Sequence, residues 1–281
     1  MITQLPLDLK EVEKIINLSL KEDIGKGDIT TDSIVNDKFN CVAVIKSKDR
    51  GILAGNTVSE VVFKKLDPKI TYIQKKKDGD TIIPNDIIAE VRGSVRTVLT
   101  GERLSLNFLQ RLSGIATLSQ KFVNKTKGFD VEIIDTRKTT PGLRILEKYA
   151  VTVGGCYNHR FGLFDGILIK DNHIKIAGNI EKVVLKVRAK HKNKEIEVEA
   201  SNFIQVREAL KSGADIIMLD NMTPDKIKKA VKFIDSKAMT EASGGINLDN
   251  IGEYAKTGVD YISIGALTHS AKSLDIGLYV L

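Results

Sequence analysis

The sequence predicts an α/β protein: a parallel α/β barrel preceded by a smaller, largely antiparallel α+β domain. Three observations predict it. From about Gly128 onward, apolar runs alternate with helical stretches, at Val131 to Ile134, Gly166 to Ile169, Ile196 to Ala200, Ile216 to Leu219, Ala238 to Ala242 and Tyr261 to Ile264. That alternation marks parallel βα units. Between Val198 and Ile262 the units recur about every 20 to 23 residues, the rhythm of a barrel rather than of a long-crossover open sheet. Before Gly128 the texture differs, with short strands broken by Gly, Pro and Asp-Gly. A doubly wound open sheet is the competing arrangement, but no Gly-x-Gly-x-x-Gly turn follows the first strand.

The elements follow in order. Asp8 can cap a first helix with Glu11 three residues on, and Leu9, Val12, Ile16 and Leu20 recur at helical spacing. The polar stretch from Glu22 to Thr31 interrupts it. Cys41 to Ile45, Ile70 to Gln74 and Ile87 to Val91 read as strands. Thr100 reads as the N-cap of a helix whose apolar stripe is Leu104, Phe108, Leu112 and Ile115. The expected domains are 1–112, α+β, with the segment from about 270 to 281 packing back on it, and 113–269, the barrel.

At 281 residues, with 42% apolar and 28% charged residues, the chain is long enough for a sizeable core. Its apolar runs are far too short to span a membrane. The stretch Met1-Ile2-Thr3-Gln4-Leu5-Pro6 has no basic and apolar leader pattern, so a cytoplasmic location is expected. Cys41 and Cys156 match no zinc spacing and read as reduced thiols. The net charge of +7 suits either nucleic acid or an acidic small molecule. The densest basic run, Lys75-Lys76-Lys77, abuts Asp78-Gly79 and reads as a solvated hairpin end. Without tryptophan there is little material for stacking bases.

In barrels the chemistry sits at the carboxyl ends of the strands. Here the first strand runs into Asp135-Thr136-Arg137-Lys138 and the second into Lys170-Asp171-Asn172-His173. The third carries Glu195, Glu197 and Glu199, and the fourth ends in Asp220-Asn221. The fifth gives Glu241-Ala242-Ser243-Gly244-Gly245 and the sixth Ser263-Ile264-Gly265-Ala266, while Asn158-His159-Arg160 precedes the second strand. Arg137, Lys138, Arg160, Lys170 and His159 form a cationic bowl suited to carboxylates and phosphates. Opposite them, Glu199 and Asp220 can hold sugar hydroxyls or a Mg²⁺ ion bridging phosphate oxygens. The turns Ser243-Gly244-Gly245 and Ile264-Gly265-Ala266 offer backbone N–H groups where barrels bind phosphate. Arg103, set by the Thr100 cap in the first helical turn, is either a surface ion-pair partner of Glu102 or, with the helix terminus, an anion ligand.

These residues resemble a known family. Gly101-Glu102-Arg103, the run from Asn107 to Thr117, Asp135-Thr136-Arg137-Lys138-Thr139-Thr140-Pro141-Gly142-Leu143-Arg144, Asn158-His159-Arg160 and Ile169 to His173 are similar to quinolinate phosphoribosyltransferase. The resemblance spans nearly the whole chain. Cys156, where a small residue is usual, and Leu104, where threonine is common, depart from it without touching a charged position. The resemblance implies an incomplete barrel of seven strands, one more than the sequence shows, and an open-sandwich amino-terminal domain.

It also implies conversion of quinolinate and phosphoribosyl pyrophosphate to nicotinate mononucleotide, pyrophosphate and carbon dioxide with Mg²⁺. It further implies a homodimer with shared active sites, each site receiving Arg103 from the neighbouring subunit, with assembly into a hexamer left open. On this reading Lys138, Lys170, Glu199 and Asp220 are the catalytic candidates, with Mg²⁺ held indirectly by Glu199 and Asp220. Substrate contacts come from Arg103, Thr136, Arg137, Lys138, His159, Arg160, Lys170, Glu199, Asp220 and the two glycine turns, Ser243 to Gly245 and Ile264 to Ala266.

Other readings compete. Lys170 ends the apolar run Ile167-Leu168-Ile169, where a desolvated amine could form a Schiff base in an aldolase or lyase. A paralogue acting on another planar heterocycle is the nearer alternative. A nucleic-acid-binding module is disfavoured, because the basic residues lie on barrel loops rather than along one helix or groove. A membrane partner is not expected.

Overall fold

The computed structural model describes residues 2–4, 6–36 and 39–281; Met1 and Leu5 of the amino-terminal stretch lie outside them. The chain begins with helices α1 (Leu9–Ile24) and α2 (Ile29–Ile34), strands β1 (Asn40–Ser47) and β2 (Gly51–Ile52), and helix α3 (Asn56–Leu66). Strands β3 (Thr71–Gln74), β4 (Thr81–Ile82) and β5 (Ile87–Ser94) lead into the long helix α4 (Val95–Lys125). Then come β6 (Glu132–Ile134), α5 (Arg144–Val153), β7 (Ile167–Ile169), α6 (Asp171–Ala177), α7 (Ile180–Lys190) and β8 (Ile196–Ala200). The rest is α8 (Phe203–Lys211), β9 (Ile216–Asp220), α9 (Pro224–Ile234), β10 (Met239–Ser243), α10 (Ile251–Ala255), β11 (Tyr261–Ser263), α11 (Ala266–His269) and β12 (Ile276–Val280). No helix among the described residues is long and apolar enough to cross a membrane.

The elements form two compact units. One contains the segment up to Gln4, Lys121–Lys138 and Cys156–Ala266; the other contains the chain from there to Gln120, Thr139–Gly155 and Leu267–Leu281. The second unit is built on an antiparallel sheet in the order β12-β1-β5-β3. The carboxy-terminal strand pairs with β1 from Ala43↔Val280 to Ser47↔Ile276. Gly114 shows how closely this tail packs: a Cβ there would lie 2.2 Å from the Lys272 carbonyl oxygen. Beneath the sheet, Ile45, Phe63, Val91, Val98, Leu106 and Leu109 share one buried core.

Asp8 caps α1 as its sequence predicts, accepting from the Lys10 N–H. The reading of Thr100 as an N-cap is corrected. The helix starts at Val95, directly after β5, so Thr100 lies inside it and its hydroxyl bonds to Asp28 Oδ2 at 3.2 Å. Val95, Thr97 and Val98 are β-branched and poor helix formers, but Val98 is fully buried in the core. Tertiary burial overrides local propensity there. Arg103 is exposed and lies in the third turn of α4, so the helix terminus cannot share an anion with it.

The first unit is the parallel layer. Its six strands run in the order β6-β11-β10-β9-β8-β7, each the expected run to within a residue or two. A seventh element is a single bridge: Tyr157 pairs in parallel with Ile134. Its N–H donates to the Ile133 carbonyl and its own carbonyl accepts from Asp135 N–H. Asn158 continues it by pairing antiparallel with Thr3. The architecture is thus an α/β barrel of six regular strands and one rudimentary strand, with a separate antiparallel α+β unit.

Candidate active site

Two ends of the parallel layer carry two different surfaces. Glu132, Glu195, Ile216, Met239 and Tyr261, all at strand starts, line a cleft with Tyr157. The carboxyl ends line a second cavity of about 350 Å³, bounded by Thr136, Arg137, Lys138, His159, Arg160, Lys170, Glu199, Asp220 and Ser243. The cationic bowl and the two acidic candidates therefore converge on one space. Leu168, Met218, Asn221, Glu241 and Ser263 complete its wall; none was given a role from sequence, although Asn221, Glu241 and Ser263 lie in the strand-end runs.

Buried Asp135 organises the cationic side. It directly follows β6 and accepts from Asn158 Nδ2 at 2.8 Å and from the His159 N–H at 2.9 Å. This pins the Asn158-His159-Arg160 segment beside Arg137. Arg160 is buried, and its Nη1 donates to the Gly166 carbonyl at 2.8 Å. Burial, and then the neighbouring Arg137 charge, lower its pKa from the ordinary guanidinium value. Arginine stays protonated in proteins, so two cations crowd this part of the cavity wall.

On the facing strands Glu199 is partly buried, and its Oε2 lies 3.4 Å from Lys170 Nζ. Burial raises its pKa, Lys170 opposes the rise, and Asp220 adds to it. Asp220 ends β9 and accepts from Asn221 Nδ2 at 2.6 Å. Asn221 has φ +53° and donates its N–H to the Ser243 carbonyl at 2.8 Å. Gly244 follows with φ +96°, and a Cβ there would fall 2.3 Å from Asn221 Oδ1. The Asp220 and Ser243 turns are packed so tightly that only glycine fits between them.

Below this rim lies a buried layer. His159 Nε2 is 2.9 Å from Glu197 Oε2 and 3.6 Å from Glu241 Oε2. Both carboxyls are inaccessible to solvent, at 0% and 1% exposure. By composition this trio could hold a metal, since one ligand atom of each lies within 4.8 Å of the others. The histidine argues otherwise. Its Nδ1 accepts the Arg160 N–H at 2.8 Å, so in the neutral ring the proton sits on Nε2, which points at Glu197 and cannot ligate. Burial pushes the Glu197 carboxyl up to about 7. Burial, reinforced by the Glu197 charge, holds Glu241 well above the usual carboxylate range. Two buried acids this close cannot both ionise.

The glycine turns divide. Ser243 lines the cavity, with Gly244 and Gly245 directly behind it. Ile264 is removed from the candidates: it is buried and its N–H donates to the Ile134 carbonyl at 2.9 Å, extending the β11–β6 ladder. Gly265 and Ala266 follow it and do not border the cavity. Arg103 belongs to the other unit. Glu197 and Glu241 stood in the strand runs read from sequence but were given no role there. Their signal was an acidic residue at an inward strand position one layer below a candidate.

The quinolinate phosphoribosyl transferase amino-terminal domain model matches residues 28–113, and that family's carboxy-terminal domain model matches residues 115–279. The chain belongs to the quinolinate phosphoribosyl transferase family. It is similar to the probable nicotinate-nucleotide pyrophosphorylase (carboxylating) of Bacillus subtilis, at 48% identity over 96% of this chain and 93% of that one. The corresponding protein of Methanocaldococcus jannaschii is 46% identical over 94% and 95%. The solved nicotinate-nucleotide pyrophosphorylase of Francisella tularensis superposes with a TM-score of 0.95, at 40% identity over 99% of both chains. As a member of this transferase family the protein is an enzyme, and the cavity at the carboxyl ends of the strands is its candidate active site.

Proposed function

We propose that this chain transfers the phosphoribosyl group of phosphoribosyl pyrophosphate to the ring nitrogen of quinolinate and releases pyrophosphate, carbon dioxide and nicotinate mononucleotide. The observation that carries the reading is the division of the cavity by charge. Arg137 and Arg160 stand together, Glu199 and Asp220 end the adjacent strands β8 and β9, and Lys170 lies next to the acidic pair at 3.4 Å from Glu199. The first set suits a planar dicarboxylate, and the second suits the hydroxyls of a ribose and the cation that accompanies a pyrophosphate.

The residues position rather than react. Arg137 and Arg160 would grip the two carboxylates, and the rigid Asp135 anchor fixes their angle. Departure of pyrophosphate leaves an electron-poor ribose carbon, which Glu199 and Asp220 stabilise electrostatically. Hard oxygen donors on adjacent strands, repelling each other, also fit Mg²⁺, which would be held through water by Glu199 and Asp220 and would neutralise the leaving pyrophosphate when bound. Attack by the ring nitrogen makes the ring cationic and able to accept the electrons of the departing carboxylate. Lys170 is half-exposed and paired with Glu199, whereas a Schiff-base lysine works desolvated; its charge is what the site uses.

The proposed unit is a cytoplasmic homodimer in which the partner's Arg103 completes each site. The test of function is incubation with quinolinate, phosphoribosyl pyrophosphate and Mg²⁺, with nicotinate mononucleotide as the expected product. Nicotinate in place of quinolinate should turn over poorly or not at all, because the bowl holds more cations than one carboxylate needs. Equal rates with both would refute the reading.

A further inference from the structure

The reaction proposed above leaves one chemical demand unmet by the residues so far assigned. When the carboxylate beside the ring nitrogen departs as carbon dioxide, the bond's electron pair stays on carbon 2. That carbon must then gain a proton. Water could supply it, but so could an acid in the wall, and this inference rests on the proposed reaction.

Most groups near the cavity are poor donors. Arginine does not release a proton, which removes Arg137 and Arg160. The Lys170 ammonium is turned toward Glu199 at 3.4 Å. His159 points its Nε2–H at Glu197, and its Nδ1 accepts the Arg160 N–H. Glu241 is different. It lies mid-strand on β10, borders the cavity, and is 1% exposed. Its Oε1 meets no partner with hydrogen-bond geometry among the described residues, although the nearby Ser263 hydroxyl opposes the rise in its pKa. Its other oxygen faces His159, with Glu197 adjacent.

We propose that Glu241 is the general acid that protonates carbon 2 of the pyridinium ring after carbon dioxide leaves. The bond between carbon 2 and its carboxylate breaks and carbon dioxide departs without the electron pair. The O–H bond of Glu241 then breaks, its proton joins that pair on carbon 2, and Glu241 is left as a carboxylate. A carboxylate pressed against Glu197 in a dry layer is unfavourable, so Glu241 regains a proton from water once the product has left. Burial and the Glu197 charge keep this carboxyl in its acid form beforehand, as a neutral donor requires. The proton stays in a buried layer below the charged rim until the ring needs it.

The test follows the two products separately by rapid quench, in wild type and in Glu241→Gln, with quinolinate, phosphoribosyl pyrophosphate and Mg²⁺. Pyrophosphate reports transfer; nicotinate mononucleotide and carbon dioxide report the later step. In Glu241→Gln, pyrophosphate release and quinolinate binding should stay within about three-fold of wild type. Formation of nicotinate mononucleotide should fall by about 100-fold or more. The undecarboxylated nucleotide should accumulate, because carbon dioxide recombines with carbon 2 before water protonates it. If Glu241→Gln does not fold, Glu241→Asp and Glu241→Asn make the same comparison at equal length, and the acid should form product at least about ten-fold faster than the amide. Both products forming together in the glutamine variant, whether at the wild-type rate or equally slowed, would overturn the assignment. Wild-type enzyme that makes pyrophosphate and no nicotinate mononucleotide would instead overturn the reaction on which it rests.

Discussion

Lys170 Nζ lies 3.4 Å from Glu199 Oε2, joining the end of β7 to the end of β8 across the rim of the cavity. The two belong to opposite halves of the proposed chemistry, the lysine to the dicarboxylate and the glutamate to the donor. Without substrates they neutralise each other, and binding must separate or share them.

That pair should matter for activity far more than for stability. Its lysine is 48% exposed, so it is worth no more than about 1 kcal/mol of folding stability. Lys170→Ala should leave the denaturation midpoint nearly unchanged while kcat/KM for quinolinate falls by about 100-fold or more. Lys170→Arg should retain measurable activity, since a charge is what the site needs. A reduced covalent adduct on Lys170 after borohydride treatment with substrate would overturn the transferase mechanism itself.

Glu199 and Asp220 are assigned to the donor side by charge. Replacing either with alanine should lower turnover by about 100-fold, while quinolinate binding by calorimetry stays within a few-fold. Chelation of Mg²⁺ should have the same selectivity. A large loss of quinolinate affinity with normal turnover at saturation would reverse the assignment.

Gly244→Ala should be costly at a position that contacts no proposed charge. The residue sits at φ +96°, and the added methyl would collide with Asn221. Strain there should cost about 1–3 kcal/mol. It should also disturb Asp220, which Asn221 holds. Wild-type stability and turnover in this variant would show that the turn is looser than its packing implies.

Glu241 should leave a mark on the pH dependence of stability. Its folded pKa is raised, so the folded state binds the proton more tightly than the unfolded chain. The stability linked to it is complete below the unfolded value and lost as pH rises through the folded one. Between about pH 5 and 8 the wild type should therefore lose stability relative to Glu241→Gln, which has no proton to give up. Glu197 is coupled to Glu241, so the difference between the two proteins reports the titration of the pair, with His159 facing both. Parallel melting curves across that range would contradict a raised pKa.

Subunit sharing can be tested by mixing. Arg103→Ala and Arg137→Ala chains should each be inactive alone. After mild dissociation and random re-pairing, about half the dimers are mixed, and each mixed dimer holds one intact and one doubly damaged site. About a quarter of wild-type sites should return. No recovery after mass spectrometry has confirmed exchange would mean that Arg103 does not complete the partner's site.

Much of the barrel was legible from its residues alone. Strand placement followed from apolar runs recurring at even spacing, because a strand covered by helices must be apolar along its length. The cavity was legible because charged residues at several strand ends must meet wherever the strands run parallel. What local pattern could not carry was of three kinds. The rudimentary strand at Tyr157 is too short to show any period. The start of α4 was set by burial of Val98 against local preference. The Ile264 N–H looked available to a ligand until the β11–β6 ladder claimed it.

The three glutamates around β8 show the division most plainly. Glu195, Glu197 and Glu199 alternate with Ile196 and Val198, so the sequence by itself determined that the three share one side of the chain. It also determined that an acidic group would stand at the carboxyl end of the strand. Only the tertiary structure decided their depth. Glu195 borders the cleft at the strand starts, Glu197 is sealed between His159 and Glu241, and Glu199 reaches Lys170 at the rim. Depth along a strand is set by how neighbouring strands stagger and by what closes over each end. Those are long-range relationships, and they separate a solvated carboxylate from a buried acid that keeps its proton.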